Sequence, residues 1–106
     1  MSKPSRAVRG SRTGRPIMAL LDLLGRRWAL RILWELREGP LPFTELQHRC
    51  DQMSPSTLSQ RLTDLTEANL LEPTADGAHR ATRQANQLGE LLMPLDAWSK
   101  KWAKSL

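Results

Sequence analysis

The chain has 106 residues and carries 16 Lys and Arg against 11 Asp and Glu, a formal net charge of +5. That length has room for one hydrophobic core and not for two. A composition of 40% hydrophobic and 25% charged residues is that of a soluble globular domain, and no apolar run approaches the roughly 20 residues of a membrane span. Asp22 interrupts the first short apolar stretch, so no secretory h-region is expected after the basic N-terminus. The single cysteine, Cys50, excludes an internal disulfide and suits a reducing cytosol, so a cytoplasmic location is expected.

Lys3, Arg6, Arg9, Arg12 and Arg15 stand in the first fifteen residues without an acid among them, while acids and bases balance over residues 16–106. With Pro4, Gly10, Gly14 and several serines, residues 1–15 read as a flexible basic arm ahead of one folded domain at 16–106. Such an arm can follow phosphates or enter a minor groove, or can serve solubility alone. Ile17, Leu20, Leu21 and Leu24 then recur at helical spacing, and Gly25 stops that helix. A second helix is expected over about 27–37, ending before Gly39-Pro40. Trp28, Ala29, Ile32, Leu33 and Leu36 line one broad side, whereas Leu30 and Trp34 face elsewhere, so it is central in the domain or meets another subunit. Pro42-Phe43 opens a short third helix reaching about Arg49, in which Thr44 and Gln47 have capping-box spacing.

Residues 50–53 turn the chain into a fourth helix, for which Ser54 is a good N-cap and Pro55 a good first residue. Leu58, Leu62 and Leu65 make its buried stripe. At about 100° per residue, Ser56, Gln60 and Thr63 fall opposite, flanked by Thr57, Ser59 and Asp64. Small hydroxyls can approach base edges closely, and Gln can pair with adenine through two hydrogen bonds. Taken alone this is also an ordinary amphipathic surface helix. Two short helices about a tight turn, the second presenting polar residues, have helix-turn-helix organisation. Leu70-Leu71-Glu72 reads as a brief strand, Asp76-Gly77 as a turn, and about 79–85 as the return strand of a wing. His79, Arg80 and Arg83 give that hairpin a basic edge, suited to phosphate or minor-groove contact or merely to keeping strands apart. A last helix is expected over about 86–104, with Asn86 as N-cap and a kink at Pro94. Leu88, Leu91, Leu95, Trp98 and Trp102 form a heptad-type seam along it. Packing of this seam and of Leu20 on the first helix against a second copy is preferred over its folding back on its own domain.

Several motifs together resemble the HxlR-type winged-helix regulators, a branch close to the MarR family. Leu21-Asp22-Leu23-Leu24-Gly25-Arg26-Arg27-Trp28 is similar to the family's opening. Ile32-Leu33-Trp34-Glu35-Leu36 with Gly39-Pro40 matches the next helix and its exit, and Phe43-Thr44-Glu45-Leu46 the start of the motif's first helix. Ser54 to Leu62 with Leu65, Leu70 and Leu71 resembles the recognition helix and the entry to the wing. Gly89, Leu92, Pro94 and Leu95 resemble the opening of the dimerisation helix. The resemblance covers about residues 15–104. It implies a mainly α fold with a small β-hairpin, a winged helix-turn-helix with N- and C-terminal dimerisation helices. It also implies a homodimer reading an inverted repeat in double-stranded DNA. Ser56, Thr57, Ser59, Gln60 and Thr63 would meet bases or phosphates, with Thr44, His79 and Arg80 on the backbone. Arg61 would make either a phosphate contact or an internal salt bridge. Two departures stand out. Arg15 occupies the place before Pro16 where many members have a sensing Cys, and Arg83 and Ala85 replace larger residues of the returning strand.

No phosphate loop, nucleophile elbow or HExxH is present, so no enzyme and no cofactor are expected. His48, Cys50 and Asp51, with His79, suggest a metal only superficially, since residues two apart on a helix diverge. A small-molecule effector is compatible with this class, but no convergent polar set marks its site. The competing reading is a winged helix that docks protein partners through its polar helix and Trp seam.

Overall fold

The computed structural model describes residues 14–106, so the proposed arm lies outside the described residues except for Gly14 and Arg15. Helix α1 (Pro16–Leu24) begins with its proline in the first turn, where no N–H is needed, and ends at Gly25. Helix α2 (Ala29–Glu35) is shorter than expected at both ends. Trp28 precedes it in the left-handed region at φ 76°, and Leu36 has already left helical geometry. A bulky residue with positive φ is strained, so the preceding turn must be held from outside.

Helix α3 (Phe43–Arg49) has Pro42 at its cap position without a side-chain bond. The Thr44–Gln47 capping box therefore does not form. Gln47 Nε2 donates instead to the Met53 carbonyl at 2.9 Å and braces the turn into the next helix. Asp51 and Gln52 make that turn with φ of 58° and 57°. Helix α4 (Pro55–Glu67) starts as expected: the Ser54 hydroxyl accepts from the Thr57 N–H at 3.1 Å. Leu58, Leu62 and Leu65 are buried among Ile32, Leu36, Leu46, Cys50 and Leu71. This single cluster is the core, and every helix of the motif contributes to it.

Strands β1 (Leu71–Pro73) and β2 (His79–Ala81) pair antiparallel, with Glu72 opposite Arg80. His79 and Leu41 exchange backbone hydrogen bonds at 3.0 Å, so the segment before α3 is tied to the wing. The return strand ends at Ala81 and does not reach residue 85. Thr82 intervenes: its hydroxyl donates to the Asn69 carbonyl at 2.8 Å and accepts from the Ala85 N–H at 3.2 Å. That cap starts helix α5 (Arg83–Lys104) three residues before the expected Asn86. Arg83 accordingly belongs to α5 and not to the wing, and Ala85 is small because it is buried against the core. Helix α5 continues through Pro94. Beyond Leu88 it leaves the domain, with Leu91 73%, Trp98 58% and Trp102 51% exposed. The alternative in which this seam folds back on its own core is not what the structure adopts. No helix among the described residues is long and apolar enough to cross a membrane.

Candidate nucleic-acid interface

Because the core takes one whole side of α4, its opposite side is free. Ser56, Ser59, Gln60 and Thr63 are all exposed there, and Thr57 is half-buried at the edge. The N-terminal hydroxyls are knitted together: Ser54 Oγ donates to Thr57 Oγ1 at 2.9 Å and lies 3.4 Å from Ser56 Oγ. Gln60 is oriented by a neighbour that composition alone does not single out. Its Nε2 donates to Asp64 Oδ1 at 2.9 Å, which fixes the amide's sense and leaves the second N–H and the carbonyl oxygen for a base edge.

Asp64 is the centre of a clasp. Its other oxygen accepts from Arg61 Nη1 at 3.0 Å and Arg26 Nη1 at 3.1 Å. Arg61 Nε also donates to the Arg27 carbonyl at 2.8 Å. Of the two roles open to Arg61, the structure gives it the internal one. Burial alone would push the Asp64 carboxyl up. Hydrogen bonds from Gln60 and Arg26, with the charges of Arg26 and Arg61, outweigh that and hold it below the usual carboxylate range.

The remaining expected contacts are scattered around this face. Thr44 is exposed in the first turn of α3. Arg80 is exposed on the wing, but its Nε donates to Glu72 Oε2 at 2.8 Å across the strand pair. His79 is half-buried, its Nδ1 has no hydrogen-bond partner among the described residues, and burial pulls its pKa down. It is a structural residue of the wing's base more than a basic edge. The tempting metal set does not converge: His48 Nδ1 lies 2.9 Å from Gln52 Nε2, and Cys50 is buried, its thiol pushed up by burial. Among the described residues no three His, Cys, Asp or Glu side chains gather to hold an ion.

The apolar seam is the second exposed feature. Leu91, Leu95, Trp98 and Trp102 lie along α5, with the two indoles stacked at 6.3 Å and 10° between planes. Ile17, Met18 and Leu21 are exposed on α1, and Leu20 is half-buried there. Patches of this kind rarely stay open to water in a protein.

Residues 23–106 match the model of the HxlR-like helix-turn-helix family. The chain belongs to that family. It is a transcriptional regulator of the HxlR type, a class that is not enzymatic. An HTH-type transcriptional regulator of Methanocaldococcus jannaschii is 27% identical over 93 residues, spanning 83% of this chain and 86% of the relative. Quinone-bound YodB from B. subtilis superposes with a TM-score of 0.76 at 25% identity, covering 80% of this chain and 94% of that one. A possible HxlR family transcriptional factor from Thermoplasma volcanium shares the fold, with a TM-score of 0.69 at 23% identity over 85% and 86% of the two chains. The winged helix-turn-helix expected from the residues is thus the fold observed.

Sequence reasoning placed Asp64 on the flank of the polar face without giving it a role, and missed Arg26 and Arg27 as parts of the site. The spacing of Asp64 from Gln60 and Arg61, four and three residues, was a readable signal. The partnership with Arg26 joins segments far apart in the chain, and local periodicity carries no trace of it.

Proposed function

We propose that the protein acts as a homodimer that reads an approximate inverted repeat in duplex DNA through α4. The observation that carries this is the exposed face of a firmly seated helix, on which Gln60 is held by Asp64 between small hydroxyl side chains. In this reading Gln60, Ser56, Ser59 and Thr63 address base edges in the major groove. Thr57 and Thr44 address nearby phosphates, and Arg80 exchanges Glu72 for the backbone. Arg61 works from behind, fastening α4 to the turn after α1.

The apolar seam of Leu88, Leu91, Leu95, Trp98 and Trp102, with Leu20 of α1, joins the two subunits. The exposure of Leu91, Leu95, Trp98 and Trp102 in the single chain supports that assignment, as does heptad-type spacing, while Leu88 and Leu20 are half-buried and Leu88 also packs on its own core. Two copies then set their recognition helices about one turn of DNA apart.

Selection of bound fragments from random duplexes at two salt concentrations tests the reading. The expected result is enrichment of an inverted repeat, with Gln60→Ala relaxing one position in each half-site by about 1–3 kcal/mol. Absence of binding at low salt would overturn it and favour a module that docks proteins instead.

A further inference from the structure

The turn between α1 and α2 carries three arginines in the run Arg26-Arg27-Trp28-Ala29-Leu30-Arg31, and they line a shallow cleft of about 440 Å³ with Leu24, Trp28, Leu30 and Asp51. Three arginines and one carboxylate line it, and Arg31 Nη1 lies 4.0 Å from that carboxylate, Asp51. Arg26 is paired with Asp64. Arg31 is bound to Glu35 at 2.9 Å and donates to the Arg49 carbonyl at 2.6 Å. Arg27 differs. Its guanidinium lies 5.6 Å from the centre of the Trp28 ring and has no carboxylate partner among the described residues.

Position gives this charge its meaning. With Leu58 as reference, Gln60 lies about 200° around α4, Asp64 about 240° and Arg61 about 300°. Asp64 and Arg61 therefore form the rim of the polar face, and both are bonded to the α1–α2 turn. A helix about 10–12 Å across fills a major groove about 12 Å wide, so cations at its rim meet the phosphates of the groove wall. The turn cannot lag behind when α4 enters the groove, because Arg26 and the Arg27 carbonyl are fastened to it. The strained Trp28 backbone sets its ring beside Arg27.

Building on the DNA-reading function above, we propose that the α1–α2 turn is a second backbone contact, in which Arg27 takes a phosphate flanking the groove read by α4. Arg26 and Arg31 raise the local potential while staying in their own pairs. The contact is independent of sequence, since a phosphate carries no base identity.

The test uses the full-length protein, the Arg27→Gln and Arg27→Lys variants, and anisotropy of labelled operator and mixed-sequence duplexes from 50 to 200 mM salt. Wild type should lose affinity steeply with salt. Arg27→Gln should flatten the slope of log K against log[salt] by about 0.9 for each phosphate no longer neutralised, one per subunit. Affinity should fall about fivefold to tenfold per subunit near 0.1 M salt, equally on both duplexes. Arg27→Lys should keep most of the slope, and circular dichroism should show both variants folded. An unchanged slope in Arg27→Gln, beside salt-sensitive wild type, overturns the inference and leaves the function standing. A change confined to the operator would also overturn it, by placing Arg27 on a base. Wild type that binds no duplex at low salt would instead remove the function on which the inference rests.

Discussion

Removing the Asp64 carboxylate by Asp64→Ala should both destabilise the domain and loosen Gln60. The side chain is only 9% exposed and accepts from Gln60, Arg61 and Arg26. Arg26 is itself well exposed, so solvent screens its pair and its share is about 0–1 kcal/mol. Arg61 is better shielded, and a hydrogen bond to a charged group is worth about 1.5–3 kcal/mol at most. Together these suggest a loss of about 2 kcal/mol, or about 10 °C in Tm for a domain near this size. Urea and thermal unfolding followed by circular dichroism would measure it. The same substitution in an Arg61→Ala background should cost about 1 kcal/mol less, because the partner is already gone. The acid response has a definite sign. A carboxyl whose folded pKa lies below the ordinary 3.8 stabilises the fold above that range and loses its contribution as pH falls through the folded value. The gap between wild type and Asp64→Ala should therefore close in acid. A variant melting within about a degree of wild type at neutral pH would refute the clasp, and screening would then be the dominant effect.

Leu91→Glu combined with Trp98→Glu places charge on the α5 seam without touching the core, so sedimentation should show a folded monomer, against the dimer proposed for wild type. Operator affinity should fall by at least about tenfold with it, since one half-site is lost; an unchanged dimer would show that the seam has another use. His79 gives a second pH effect of the same sign in a higher pH range, here because burial favours the neutral ring and not the charged one. Burial lowers its folded pKa below the ordinary 6.5, so the unfolded chain takes up the proton first and stability declines as pH drops below about 6.5. His79→Gln should flatten the decline of Tm between pH 7 and 5, and parallel curves for the two proteins would count against it.

What could be read from the residues divides along a physical line. The Ser54 cap, Pro55 and the Leu58–Leu62–Leu65 stripe act within one or two helical turns, and all appear where expected. Misplaced boundaries had competing local solutions. Asn86 and Thr82 are both plausible caps, and the choice fell to Thr82 because its hydroxyl also reaches Asn69, thirteen residues away. Thr44 and Gln47 had capping-box spacing, but Gln47 found a partner in the turn. Nothing local announces a tryptophan in the left-handed region, and Arg61 could be settled only once Arg27 and Asp64 were placed beside it. In the candidate site, the polar face and the local spacing of Asp64 from Gln60 and Arg61 were legible, whereas the long-range fastening through Arg26 and Arg27 was not.

Helix α5 has a mechanical consequence. It is rooted in the domain by Ala85 and Leu88, while about 24 Å of it, from Gly89 to Lys104, stands clear of its own core. In a dimer joined along that length, the helix is a lever whose pivot is the crossing with its twin. A change of about 10° in the crossing would swing the rooted end, and the reading head with it, by about 4 Å over that length. That is comparable to the rise of one base pair, so in a dimer of that form half-site spacing would be tuned at the indoles and felt at the grooves.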